Sequence, residues 1–292
     1  MAGVLSRDQP ALDAAPAAPE SGLIVIEPTH GWRALDVREL WAYRELIYFL
    51  AWRVVKVRYK QTALGIAWVV LQPLVAMAIF SIVFGRLASL PSDNVPYPLF
   101  VFAGLVPWFY FANATSTASG SLVANTNLVS KVYFPRLAVP LAAVLAGLVD
   151  LAIGLALELV LLTAFGLPPT PRVLLVPLLV AALALSALAV SIWLSALDVQ
   201  YRDVRYAIPF LIQLWLFATP VVYPLSVVSD RWQWLFALNP VTGTIETFRW
   251  ALLGSGEFPA PQLALGVVTT LLLLGSGLLY FRRVERTFAD VI

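Results

Sequence analysis

The chain has 292 residues, of which 60% are hydrophobic and only 12% charged, and its formal net charge is +2. A soluble globular protein carries about 25% charged residues, so there is too little polar surface here to cover a soluble core, and an all-α integral membrane protein is the expected class. Cysteine is absent and histidine occurs once, at His30, which excludes disulfides, thiolate nucleophiles and His/Cys metal sites.

Residues 1–30 hold no long apolar run of the secretory-signal kind and read as a flexible cytoplasmic tail. In segment 36–60, Leu40, Tyr43, Ile47, Leu50, Val54 and Val57 recur every three or four residues and share one helical face. Arg38, Glu45, Lys56 and Lys60 lie largely away from that face. A basic amphipathic helix with Trp and Tyr at its edges suits the surface of the cytoplasmic leaflet. The alternative is an ordinary helix of a soluble domain, but this one abuts an apolar span directly. The junction 58–73, Arg-Tyr-Lys-Gln-Thr-Ala-Leu-Gly-Ile-Ala-Trp-Val-Val-Leu-Gln-Pro, passes from the basic segment into that span, which Pro73 interrupts.

Six spans are predicted, near 64–85, 99–121, 137–166, 173–197, 206–224 and 260–281, each close to the roughly 20 residues that cross a bilayer. All but the third come from runs without a charged residue. The third contains Asp150 and Glu158, eight residues or about two turns apart. Carboxylates in a span are functional by default, yet the other spans offer no ionisable partner except tyrosine. A structural or water-facing role is therefore favoured over an ion relay, and Gly147 and Gly154 nearby suggest a close helix-packing seam.

With six spans both termini share a side, and the bias of Lys and Arg selects it. A cytoplasmic N-terminus places eight cations before residue 64 inside, then Lys131 and Arg136, Arg202 and Arg205, and Arg282, Arg283 and Arg286. That makes fifteen, against Arg86, Arg172, Arg231 and Arg249 outside. Residues 285–292 become a cytoplasmic C-terminus.

Two connections stand out. Loop 125–136 carries an Asn start signal and a Pro135 stop, so a short cytoplasmic helix is expected there; a connector on lipid headgroups is the alternative. Segment 225–257 is too broken by Pro, Gly and charge for a span and too apolar for a free loop. Two half-length re-entrant helices dipping in from outside fit it, with Glu246 and Arg249 three residues apart and able to pair; a surface-lying cap is the alternative.

No G-x-x-x-x-G-K-[ST] loop, H-E-x-x-H or Gly-x-Ser-x-Gly occurs, so a nucleotide-splitting, zinc-dependent or serine-hydrolase role has no residues to carry it. Trp68, Phe80, Phe84, Trp108 and Tyr223 are candidates to stack on sugar faces. An interfacial belt is the alternative for such rings, above all for the clusters around Trp108 and Trp232/Trp234 near span ends.

Several motifs together resemble the permease subunits of polysaccharide-exporting ABC transporters, the O-antigen, capsule and teichoic-acid exporters. They are Gly104-Leu-Val-Pro-Trp108 with Phe-Tyr-Phe-Ala-Asn113 behind it, the Lys-Val-Tyr-Phe-Pro-Arg core of 125–140, Asp198-Val-Gln-Tyr-Arg-Asp203-Val-Arg, Gln213 through Thr219-Pro220-Val-Val-Tyr223, and Asn239-Pro240. They span residues 57–283 in the family's order; the first 30 residues have no counterpart. The resemblance implies a homodimer of six-span subunits in the bacterial inner membrane, with two separate ATPase subunits that bind ATP and Mg2+ so that this chain holds no cofactor. It implies a polyprenyl-pyrophosphate-linked glycan as substrate and no nucleic acid. Arg53, Lys56, Arg58 and Lys60 would then meet the pyrophosphate. Asn125, Leu128, Lys131, Tyr133, Phe134 and Arg136 would dock the ATPase, and Trp232, Trp234, Glu246 and Arg249 would belong to the external gate. An exporter of drugs or small lipids, an ion-coupled flippase and a membrane-embedded lipid-modifying enzyme are the rival readings.

Overall fold

The computed structural model of the chain describes residues 37–60, 66–201, 203–285 and Phe288, which fold into helices with no strand among them and lie in one unit, Ala34–Ile292. The expected tail, and most of the C-terminal segment, fall outside the described residues.

The surface segment forms α1 (Val37–Ala42) and α2 (Arg44–Lys60), divided at Tyr43. The expected face is the one turned inward: Ile47 is buried, and Leu40, Tyr43, Leu46 and Leu50 lean on a cluster that includes Phe134, Ala138, Val199 and Phe281. Val57 departs from that pattern. It is 62% exposed and shares the outer face with Phe49 and Trp52, because steps of 100° per residue place it nearer to Arg53 than to Ile47.

Helix α3 (Ile66–Phe80) continues through Pro73 and widens into π-helical turns over Ser81–Leu87. Helix α4 (Tyr97–Ser119) is the centre of the bundle, with 16 of its 23 residues buried. After the short α5 (Ser121–Ala124) and α6 (Thr126–Lys131), α7 (Ala138–Ala164) runs back along it. Their contact needs small residues: a Cβ on Gly154 would sit 2.9 Å from Val106, and one on Gly147 3.1 Å from the Tyr110 ring. The glycine seam expected from the sequence is therefore present. Helix α8 (Val176–Gln200) packs on α4 and on the last helix, and α9 (Val204–Phe217) follows. Then come α10 (Asp230–Ala237), α11 (Thr242–Leu253) and α12 (Ala260–Glu285).

Five helical stretches are long and apolar enough to cross a membrane: Ala67–Leu87, Tyr97–Ser119, Ala138–Ala164, Pro171–Gln200 and Ala260–Glu285. The expected fifth span, 206–224, differs. Its helix stops at Phe217, and 14 residues reach about 21 Å at 1.5 Å each, short of a hydrocarbon core of about 30 Å. Pro220 has no N–H to continue the ladder, and Thr219 turns its hydroxyl back to the Trp215 carbonyl at 2.9 Å.

The connections sort to two ends of the bundle. At one end Arg53 donates to Asn125 at 3.3 Å, Tyr280 to Gln200 at 2.6 Å, and Arg136 to the Glu285 carbonyl. At the other, Tyr97 donates to the Val222 carbonyl at 2.5 Å and Arg172 to the Gly254 carbonyl at 3.1 Å. These are the two sets of loops that the charge count assigns to opposite sides.

Candidate functional site

A cavity of about 350 Å3 lies where the end of α2 meets α3, α4 and α7. Arg58 and Tyr59 come from α2, Trp68, Gln72 and Pro73 from α3, Phe109, Tyr110 and Asn113 from α4, and Asp150 and Gly154 from α7. The glycine seam brings α4 and α7 together at its floor.

Arg58 forms an ion pair with one oxygen of Asp150, and the Tyr59 hydroxyl donates to the other. Asp150, an in-span carboxylate without an evident partner in the other spans, is thus held by the surface segment. Burial, and then the bond to Asp150, push the Tyr59 phenol above its ordinary value, so it stays a donor. Glu158, two turns deeper, is fully buried, and neither of its oxygens has a hydrogen-bond partner among the described residues.

The four cations expected to act together are separated. Steps of 100° per residue put Arg53, Lys56 and Lys60 on one face of α2 and Arg58 nearly opposite. The three line a shallow groove of about 410 Å3 with Phe49, Trp52 and Val57. That groove is built from a single helix and has no facing wall, whereas the cavity is enclosed by four. Of the stacking candidates only Trp68, 55% exposed, lines the cavity. Phe80 and Phe84 lie 5.8 Å apart further along α3. Trp108 is a core residue, 3% exposed and against Phe111, because α4 is central. Tyr223 bonds the Phe217 carbonyl at 2.8 Å. Phe109 and Tyr110, one and two positions beyond Trp108, are the rings of that cluster that reach the cavity. Gln72 and Asn113 escaped notice too, although polar side chains inside uncharged spans were the available signal.

The loop candidates also divide. Lys131 and Tyr133 are exposed, the latter by 70%, whereas Phe134 is buried and Arg136 is turned inward beside Phe288. Leu128 leans on the cluster beneath α2, and Asn125 caps Arg53.

In segment 225–257 the two short helices expected there are α10 and α11, and they are unlike. Trp232 and Trp234 are exposed on α10. On α11, Arg249 is 4% exposed and pairs with Glu246 at 2.9 Å. It also donates to the carbonyls of Pro220 at 2.7 Å, Phe100 at 3.3 Å, and Val221, with its guanidinium 3.9 Å above the Phe100 ring. One side chain thus ties α11, the turn after α9 and α4 together. Among the described residues no group of three or more His, Cys, Asp or Glu is placed to hold a metal ion.

Residues 45–253, more than half of the chain, match the family of ABC-2 type transporters. The chain belongs to that family. This ABC-2 transporter is 33% identical over 261 residues to the O-antigen export system permease protein RfbA of Myxococcus xanthus, covering 88% of this chain and 98% of that one. A Klebsiella pneumoniae protein of the same name is 26% identical over 85% of this chain and 95% of its own. The polysialic acid transport protein KpsM of Escherichia coli is 23% identical over 80% and 91%. The resemblance to polysaccharide-exporter permeases carried by the motifs of 57–283 is borne out by these relatives.

Proposed function

We propose that this ABC-2 transporter is the membrane subunit of an exporter that moves a polyprenyl-pyrophosphate-linked polysaccharide, O-antigen in the first instance, across the bacterial inner membrane. The observation that carries this reading is the nearly end-to-end match to an O-antigen export permease at 33% identity.

The subunit crosses six times with both termini cytoplasmic. The fifth crossing is α9 completed by the turn 218–224, and α10 and α11 dip into the outer leaflet as gate helices. Two copies form the pore. Helices α3 and α9 support that role, since Leu71, Val75, Ile79, Ile82, Phe210, Leu214 and Phe217 are exposed apolar side chains that need lipid or a partner copy to cover them. Two separate ATPase subunits bind ATP and Mg2+ and dock at Lys131 and Tyr133. The pyrophosphate meets Arg53, Lys56 and Lys60 on the outer face of α2, as charge-assisted donors. Nucleotide binding moves the docked loop, α3 and α9 part across the dimer axis, and the glycan threads outward before the gate helices open.

The test is a strain lacking the gene, with surface and intracellular glycans analysed separately. Loss of one surface polysaccharide with its lipid-linked form accumulating inside is the expected result. Unchanged surface glycans without accumulation would replace this reading with export of drugs or small lipids.

A further inference from the structure

Resting on the lipid-linked glycan reading above, we propose that the cavity between α2, α3, α4 and α7 is a neutral sugar subsite. It holds the first sugar ring attached to the carrier lipid and leaves the phosphate groups to the outer face of α2.

Charge decides against a phosphate in the cavity. Arg58 and Asp150 cancel each other, and Tyr59 is a neutral phenol. An anion drawn to Arg58 would stand beside the Asp150 carboxylate, whose repulsion offsets the attraction of the cation. The outer face, by contrast, offers Arg53, Lys56 and Lys60 together.

The remaining lining suits a polyhydroxylated ring. A carboxylate has about four lone-pair sites, and Arg58 and Tyr59 engage one oxygen each, which leaves acceptor capacity on both oxygens for sugar hydroxyls. The side chains of Gln72 and Asn113 line the same space and make no hydrogen bond to another described residue. Trp68, Phe109 and Tyr110 add ring surface for C–H faces. At about 350 Å3 the space is at the small end of ligand sites, so it takes a single ring with its substituents and not a length of polymer. It therefore reads the lipid-attached end of the glycan. Arg58 at its rim is two residues before Lys60, the last residue of α2, so the link from sugar to phosphate passes around the end of the helix, where Lys60 is the outer-face cation next in sequence.

The test compares binding of a polyprenyl pyrophosphate with that of the same lipid bearing one glucose or one N-acetylglucosamine, using the full-length chain in nanodiscs. A sugar-bearing lipid is expected to bind at least tenfold more tightly, about 1.4 kcal/mol. Trp68→Ala and Asn113→Ala, both at exposed positions, are expected to erase that increment and leave the bare lipid's Kd within twofold. Equal affinities for bare and sugar-bearing lipids, or an increment that survives both substitutions, would overturn the subsite. So would a loss of bare-lipid binding in Arg58→Gln, which would put the phosphate in the cavity. Failure of every lipid to bind would overturn the lipid-linked substrate itself, and the subsite with it.

Discussion

Arg249 shows how a single buried cation is made tolerable and useful. Its guanidinium directs its donors to one carboxylate and three backbone carbonyls, so few are left unsatisfied at a buried position. Removing one partner of such a pair costs about 3–5 kcal/mol, because the other charge is left uncompensated. Arg249→Met should therefore lower the melting temperature of the detergent-solubilised protein by far more than Glu246→Gln, which leaves the carbonyl bonds in place. The double substitution should lose less than the sum, since the two residues are directly coupled. Gly104 is the counterpart on α4. A Cβ there would overlap the guanidinium and lie 2.9 Å from the Val221 carbonyl oxygen. Gly104→Ala should destabilise by about 1–3 kcal/mol, as overpacking does. Gly120→Ala, with nothing within 4 Å of the new methyl and an ordinary φ of −85°, should be neutral or slightly stabilising by the same melting measurement.

At the scale of the element, α2 and the loop after α4 are each divided between an inner and an outer face. The hydrophobic repeat of α2 was legible because turning Tyr43, Ile47 and Leu50 inward together needs a period near 3.6. Its cations were not separable by composition, since Arg58 differs from Lys56 and Lys60 only in helical phase and in having Asp150, 92 residues away, as its partner. In the loop, Phe134 and Arg136 hold the chain to the bundle while Lys131, Val132 and Tyr133 face outward. Lys131→Glu combined with Tyr133→Ala should therefore reduce co-purification of the ATPase subunit proposed above at least tenfold with an unchanged melting temperature, whereas Phe134→Ala should lower that temperature. An unchanged yield of the ATPase from the first pair would move the docking surface elsewhere.

For the whole molecule, the absence of cysteine makes the crossing pattern directly testable. Single cysteines at Ser130 and Tyr201, both exposed and at the α2 end of the bundle, should react with an impermeant maleimide only after the inner membrane is opened. Cysteines at Ser226 and Glu257, exposed at the opposite end, should react as soon as the outer membrane is made permeable. Labelling of all four from one side would mean an even number of crossings between the two pairs of sites, and would remove α9 as a span.

The class, the five long spans, the glycine contact of α7, the sorting of loops to two ends and the short helices of 225–257 were all determined by the sequence itself. They follow from one-dimensional quantities: the length of an apolar run against bilayer thickness, the period of its side chains, and the spacing of cations. The tertiary structure decided what depends on meetings between distant residues. Asp150 became a partner of Arg58, Trp108 went into the core while its neighbours Phe109 and Tyr110 reached the cavity, and α9 ended at Phe217 where Arg249 donates to the carbonyls of the following turn. The physical reason is the same in each case: whether a polar or aromatic side chain in a helix faces a ligand, a lipid or a partner is set by which helix packs beside it, and that contact has no signature within its own segment.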